Sequence, residues 1–192
     1  MKKILLFIIA ALLVSCTCHL KPRFTINGVV PSNKYDGNKV YLVPVKGDNP
    51  SNVDSTIISN GKFSFEGDTE RVSIIRVKPA LRFELQDLLV VTEKGTTTVK
   101  LDSNSTSTGT QQNEQLQQWK DIVMQSNKDF ALFQIAKRKG INGNELKMLE
   151  EKAEISNNNK ISLTKKIIHT HRKSTLSKFL SNMTGIKGSS KN

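Results

Sequence analysis

Polar and apolar positions divide this chain into three regimes. Ile4 to Val14 is an unbroken apolar run of eleven residues. From Phe24 to Leu101, short apolar segments are separated by Gly, Asn, Asp and Pro. From Gln111 onward the apolar period lengthens to that of a helix.

The middle regime predicts strands. Phe24, Ile26 and Gly28 share one face and Thr25 and Asn27 the other, so this is a half-buried strand that ends near Pro31. Tyr35-Asp36-Gly37-Asn38 is a turn, followed by a strand over Val40 to Val45. Pro44 in that strand argues for an edge or a bulge. Val53 to Ile58 and Lys62 to Glu66 flank Asn60-Gly61, the favoured pair of a two-residue hairpin turn. Val72–Val77, the apolar run Leu85–Val91 and the Thr/Val-rich stretch Thr96–Leu101 follow, and Asp102–Gly109 has room for one more short strand. Seven to eight closely spaced strands without helical periodicity predict an antiparallel β-sandwich over residues 23–110. The expected core is Phe24, Ile26, Val40, Leu42, Ile57, Phe63, Phe65, Ile75, Leu89, Val91, Val99 and Leu101.

Residues 111–183 read as a helical appendage, which makes the fold α+β. Leu116, Trp119, Ile122, Val123, Phe130, Phe133 and Ile135-Ala136 form one stripe, with Thr110 or Asn113 as the cap. Lys137-Arg138-Lys139-Gly140 ends that helix, because cations and an αL glycine both suit a C-terminus. A second helix spans Asn144 to Ser156, with a break or a solvated turn expected at Asn157-Asn158-Asn159. Helix resumes from Ile161 to His171, and a last short one covers Thr175 to Met183. Two of these helices pair as a hairpin leaning on the sandwich, and residues 184–192 form a frayed tail.

The first regime concerns address rather than fold. Lys2-Lys3, the apolar run and a small residue before the cut make a secretory signal peptide over residues 1–15. Eleven apolar residues fall short of the roughly 20 that span a bilayer as a helix. Leu13-Val14-Ser15-Cys16 fits the bacterial lipobox, with Ser15 before the cleavage point and Cys16 as the lipid acceptor. Residues 16–22 become a lipidated tether, and the several acyl chains of a mature lipoprotein hold it stably on a membrane. The expected location is the cell envelope, facing the periplasm.

Charge is uneven. Residues 16–114 hold 12 Lys and Arg against 11 Asp and Glu, whereas residues 115–192 hold 15 against 6. The basic cations are scattered and lack interleaved aromatics, so nucleic acid is not an expected partner. A solvated helical face or an anion-binding envelope surface both suit them. Cysteine chemistry is sparse: with Cys16 lipidated, Cys18 has no internal partner. Redox C-x-x-C, G-x-S-x-G, Walker and Rossmann patterns are missing. His169 and His171, two residues apart on a helix, point in divergent directions and read as surface residues. Asp54 and Ser55 are strand neighbours on opposite faces, not a dyad. No catalytic residue, cofactor or metal site is expected, and the chain reads as a non-enzyme.

One segment resembles a known family. Phe24-Thr25-Ile26-Asn27-Gly28, Tyr35-Asp36-Gly37, Val40-Tyr41-Leu42, Val53-Asp54-Ser55-Thr56-Ile57, Asn60-Gly61-Lys62-Phe63-Ser64-Phe65-Glu66-Gly67, Gly109-Thr110 and Asn113 carry the likeness. They resemble the domain of unknown function 4369, which precedes the thioredoxin-like domain of exported lipoprotein thiol–disulfide oxidoreductases of the Bacteroidota (alkyl hydroperoxide reductase/thiol-specific antioxidant type). Ile167 to Leu180 is similar to the helical connector of those proteins. The thioredoxin-like domain and its redox cysteines have no counterpart through Asn192, so the resemblance implies an accessory module without redox chemistry of its own. It also implies a possible thioredoxin-like partner in trans, as for a truncated or split oxidoreductase.

Overall fold

The computed structural model describes residues 23–47 and 49–187. Eight strands form two four-stranded sheets, and three helices follow. The strands are β1 (Phe24–Val29), β2 (Lys39–Pro44), β3 (Asp54–Ile57), β4 (Lys62–Gly67), β5 (Val72–Val77), β6 (Leu88–Val91), β7 (Gly95–Lys100) and β8 (Thr106–Thr108). One sheet has the order β4-β1-β7-β8 and the other β3-β2-β5-β6. The expected α+β sandwich is therefore present. All pairings are antiparallel except β1 with β7, which run parallel with Phe24 opposite Gly95.

The sandwich core lies between the sheets. Phe24, Ile26, Val40, Leu42, Phe63, Phe65, Ile75, Val99 and Leu101 all enter it as expected. Three expected core residues do not. Ile57 is 55% exposed and Ile58, at 1%, takes its place. The cause is the Asn60-Gly61 turn. Its geometry is the expected one, with Asn60 at φ 51° and Gly61 at φ 68°, and Ser59 and Lys62 exchange two backbone hydrogen bonds. β3 pairs with β2 and β4 with β1, so the chain passes from one sheet to the other there, and the Ser59–Lys62 closing pair sets Ile58, not Ile57, on the same face as Phe63. In β6 the inward residues are Leu88 and Val90, while Leu89 and Val91 face the opposite side.

That opposite side is covered by helices. Val72, Leu89 and Val91 pack with Leu116, Ile167, Ile168, Leu176 and Leu180 in a second core. β5 and β6 are thus apolar on both faces, which explains the unbroken runs Ile74-Ile75 and Leu88-Leu89-Val90-Val91. β2 also departs from expectation, being an interior strand. Pro44 is tolerated because β3 reaches only as far as Leu42, which leaves the missing N–H facing an unpaired side.

The helices are α1 (Gln111–Arg138), α2 (Gly143–Thr170) and α3 (Thr175–Thr184). α2 runs through Asn157-Asn158-Asn159 without the expected break. Three asparagines cost about 2 kcal/mol of helix propensity relative to alanine. Burying Ile167 and Ile168 beyond them gains about 1.5–3 kcal/mol each, so packing decides. Of the α1 stripe only Leu116, near the sandwich, and Ala136, at the far end, are buried. Between them Phe130 and Ile135 are exposed, and α1 buries Ser126 and Asp129 on its way along α2, which buries Ala153 and Ser156. Among the described residues, both cores lie between Phe24 and Ile186.

Candidate functional site

Ser15 and Cys16, the expected cleavage and lipidation residues, lie outside the described residues, as does Cys18. The described chain enters at Arg23, whose carbonyl accepts from Gly95 N at 2.9 Å. Strand register places Phe24 beside Gly67 and Gly95, so the end of β4, the start of β7 and the entry of the chain share one end of the sandwich. Residues 68–71 lead directly from β4 to β5, which puts Val72 at that end too.

The helices are fastened at the same end by a polar network. The Glu93 carboxylate accepts from the backbone N–H of Gln112 at 2.6 Å and of Asn113 at 3.2 Å, capping α1 from another element. The expected caps are placed differently: Thr110 makes no side-chain cap bond and Asn113 turns inward. Gln112 Nε2 donates to Glu70 and Glu93, and its Oε1 accepts from Leu176 N in the first turn of α3. Thr175 Oγ1 donates to Glu70 as well. Asn113, fully buried, spans the open edge of the sandwich. Its Oδ1 accepts from Val91 N at 2.9 Å, and its Nδ2 donates to Val91 O, Thr97 Oγ1 and Thr110 Oγ1.

Beside this junction is a basic cleft. A cavity of about 250 Å³ lies between the end of β2, the start of β5 and α3, lined by Val45, Lys46, Val72, Lys178 and Phe179 among others. A second hollow of about 440 Å³ shares Lys46 and Lys178 and adds Arg172 and Ile168. Lys46, Arg172 and Lys178 are exposed and form no ion pair among the described residues. Two other charged residues of the wall are engaged: Arg71 with Asp54 at 3.0 Å, and Glu70 with Gln112 and Thr175. No Asp or Glu occurs after Glu154, whereas eight Lys and Arg do. That asymmetry is the signal in the sequence that could have pointed to this cleft. Lys46 comes from the loop after β2, Arg172 from the turn between α2 and α3, and Lys178 from within α3.

Other candidate chemistry is not assembled. His169 and His171 flank the end of α2 in an open surface hollow. Among the described residues, no three His, Cys, Asp or Glu side chains are grouped to hold a metal ion. Ser55 is exposed on β3 and its neighbour Asp54 is paired with Arg71. Among the described residues no helix is long and apolar enough to cross a membrane. Burial pushes the Lys120 ammonium down, and its Nζ donates to Ser105 O against β8.

Residues 24–116 match the family model described as domain of unknown function, DUF4369. The chain carries a DUF4369 domain. The match covers all eight strands and ends in the second turn of α1. Comparison with curated proteins and with solved structures finds no match. The DUF4369 residues quoted above have structural work in this fold. The Asp36 carboxylate accepts from Asn60 N and Gly61 N, each at 2.9 Å, so two turns 24 residues apart brace each other. Gly28 and Gly67 lie beneath the rings of Phe63 and Phe24, where a Cβ would collide. Gly109 and Asn113 join the last strand to α1.

Proposed function

We propose that this protein is a membrane-anchored lipoprotein of the cell envelope whose DUF4369 domain is a non-catalytic binding or accessory module. The observation that carries it is Leu13-Val14-Ser15-Cys16 behind a basic and apolar leader. The described chain enters the folded body at Arg23, which agrees with tethering at that end. Cleavage falls after Ser15, acyl chains on Cys16 provide the anchor, and the domain faces the periplasm. The test is metabolic labelling with palmitate in the native host, followed by membrane fractionation. Wild type takes up label and sediments with membranes, whereas Cys16→Ala takes up none. Unlabelled wild type overturns the reading.

A thioredoxin-like partner in trans is a second reading, favoured by the exposed Phe130, Leu132, Ile135, Met148 and Ile155 on the outer part of α1 and α2. Reduction of insulin by the purified protein alone would remove both readings, since neither gives this chain redox turnover.

A further inference from the structure

We propose that the cleft formed by Lys46, Arg172 and Lys178 binds the phosphate of an anionic phospholipid headgroup in the membrane that holds the protein. The proposal rests on the lipoprotein reading for its geometry. Cys16 to Pro22 are seven residues, so the lipid is at most about 25 Å from Arg23. Arg23 shares its end of the sandwich with Gly67, Gly95 and Val72, and Val72 lines the cleft. Anchoring at that end brings the cleft to the bilayer surface.

The opposite end points away. α1 starts at the anchored end and runs back along β8, where Gln117 accepts from Ser107 N and Lys120 donates to Ser105 O. The 18 residues from Asp121 to Arg138 then carry it about 27 Å further. Lys137, Arg138 and Lys139 therefore lie remote from the membrane, although their charge is equal in kind.

The cleft chemistry suits a lipid rather than a free anion. Its cations stand beside exposed or half-buried apolar surface, Val45 and Phe179, next to the buried Val72 and Ile168. A headgroup phosphate with its glycerol backbone meets both kinds of surface, and soluble phosphate needs only the first. Lysine and arginine near an anionic bilayer attract it within about a Debye length.

The test uses the chain from Thr17 onward, which holds both cores and carries no lipid. It is titrated with phosphatidylcholine vesicles, with and without phosphatidylglycerol. Binding is expected only with phosphatidylglycerol and should weaken as salt rises. Lys46→Gln with Lys178→Gln should weaken it about 25-fold, at about fivefold per cation. Lys137→Gln with Lys139→Gln removes the same charge at the far end and should change it less than twofold. Circular dichroism checks that both pairs fold. Equal losses from the two pairs would assign binding to net charge and overturn the proposal. So would absence of vesicle binding, or capture of inorganic phosphate without vesicles. Palmitate labelling reads Cys16 alone and this assay reads an unlipidated cleft, so the two readings fail separately.

Discussion

Asn113→Ala is the most informative single change for the fold. The side-chain amide of Asn113 takes the place of a neighbouring strand for one residue at the edge of β6. Truncation leaves Val91 N and Val91 O without partners, and both residues are fully buried. Each orphaned buried group costs about 1–3 kcal/mol, so the pair costs about 2–6, and about 3 is the expected value. A domain of this size has about 5–15 kcal/mol in total, so the loss is large but leaves it folded. Urea unfolding followed by Trp119 fluorescence reads it, because Trp119 is the single tryptophan and its Nε1 donates to Thr164 across the two long helices. At a slope of about 2 kcal/mol per molar urea, the midpoint falls by about 1.5 M. Asn113→Asp still accepts from Val91 N but offers no donor to Val91 O, Thr97 or Thr110 while ionised. It should therefore be destabilised at neutral pH and partly recover in acid. A loss below about 0.5 kcal/mol for the alanine variant would refute the reasoning, since Val91 would then have to find other partners at no cost.

Gly28→Ala should lower the melting temperature by the equivalent of about 1–3 kcal/mol, because its Cβ would stand 2.0 Å from the Phe63 ring, which must move; an unchanged melting temperature would show that ring to be free to shift. In acid, stability should fall as pH drops below about 4.5, the ordinary glutamate value. Hydrogen bonds from Lys34 and Tyr35 hold Glu84 down, Lys100 does so for Asp102, and Gln125 followed by Lys152 does so for Asp129. A carboxylate lowered in the fold contributes stability that is full above its unfolded value and lost as pH passes down through the folded value. Asp129→Asn should flatten that acid limb in urea titrations, and an unchanged limb would mean that Asp129 adds nothing to it.

Strand and helix periodicity was readable because each segment's own residues decide it. The errors occur where a neighbour in space decides. Ile57 and Ile58 are both apolar, and the pairing of Ser59 with Lys62 across the turn, which sets Ile58 opposite Phe63, selects Ile58 for the core. Leu88 to Val91 is apolar throughout, so its phase cannot be read until one knows that helices cover its outer face. Asn157 to Asn159 looks like a break, and the burial of Ile167 and Ile168 beyond it decides for a continuous helix.

Site residues divide along the same line. The proposed lipobox is contiguous in the sequence, so Ser15 and Cys16 are visible as a motif before any fold exists. The cleft is not contiguous: Lys46 follows β2, while Arg172 and Lys178 lie more than 120 residues later around the start of α3. Only the packing of α3 on β5, fixed through Glu70, Gln112 and Thr175, brings the three cations together. Family likeness points elsewhere again. Asp36, Gly28, Gly67, Gly109 and Asn113 each hold the architecture. A domain match carried by such residues establishes a scaffold, and the chemistry that distinguishes one member from another has to be sought in the surfaces that scaffold leaves free. Here two of the three cleft cations lie beyond residue 116, where the match ends. The cleft therefore belongs to this chain's combination of domain and helices, and a bare DUF4369 domain without α3 should lack it.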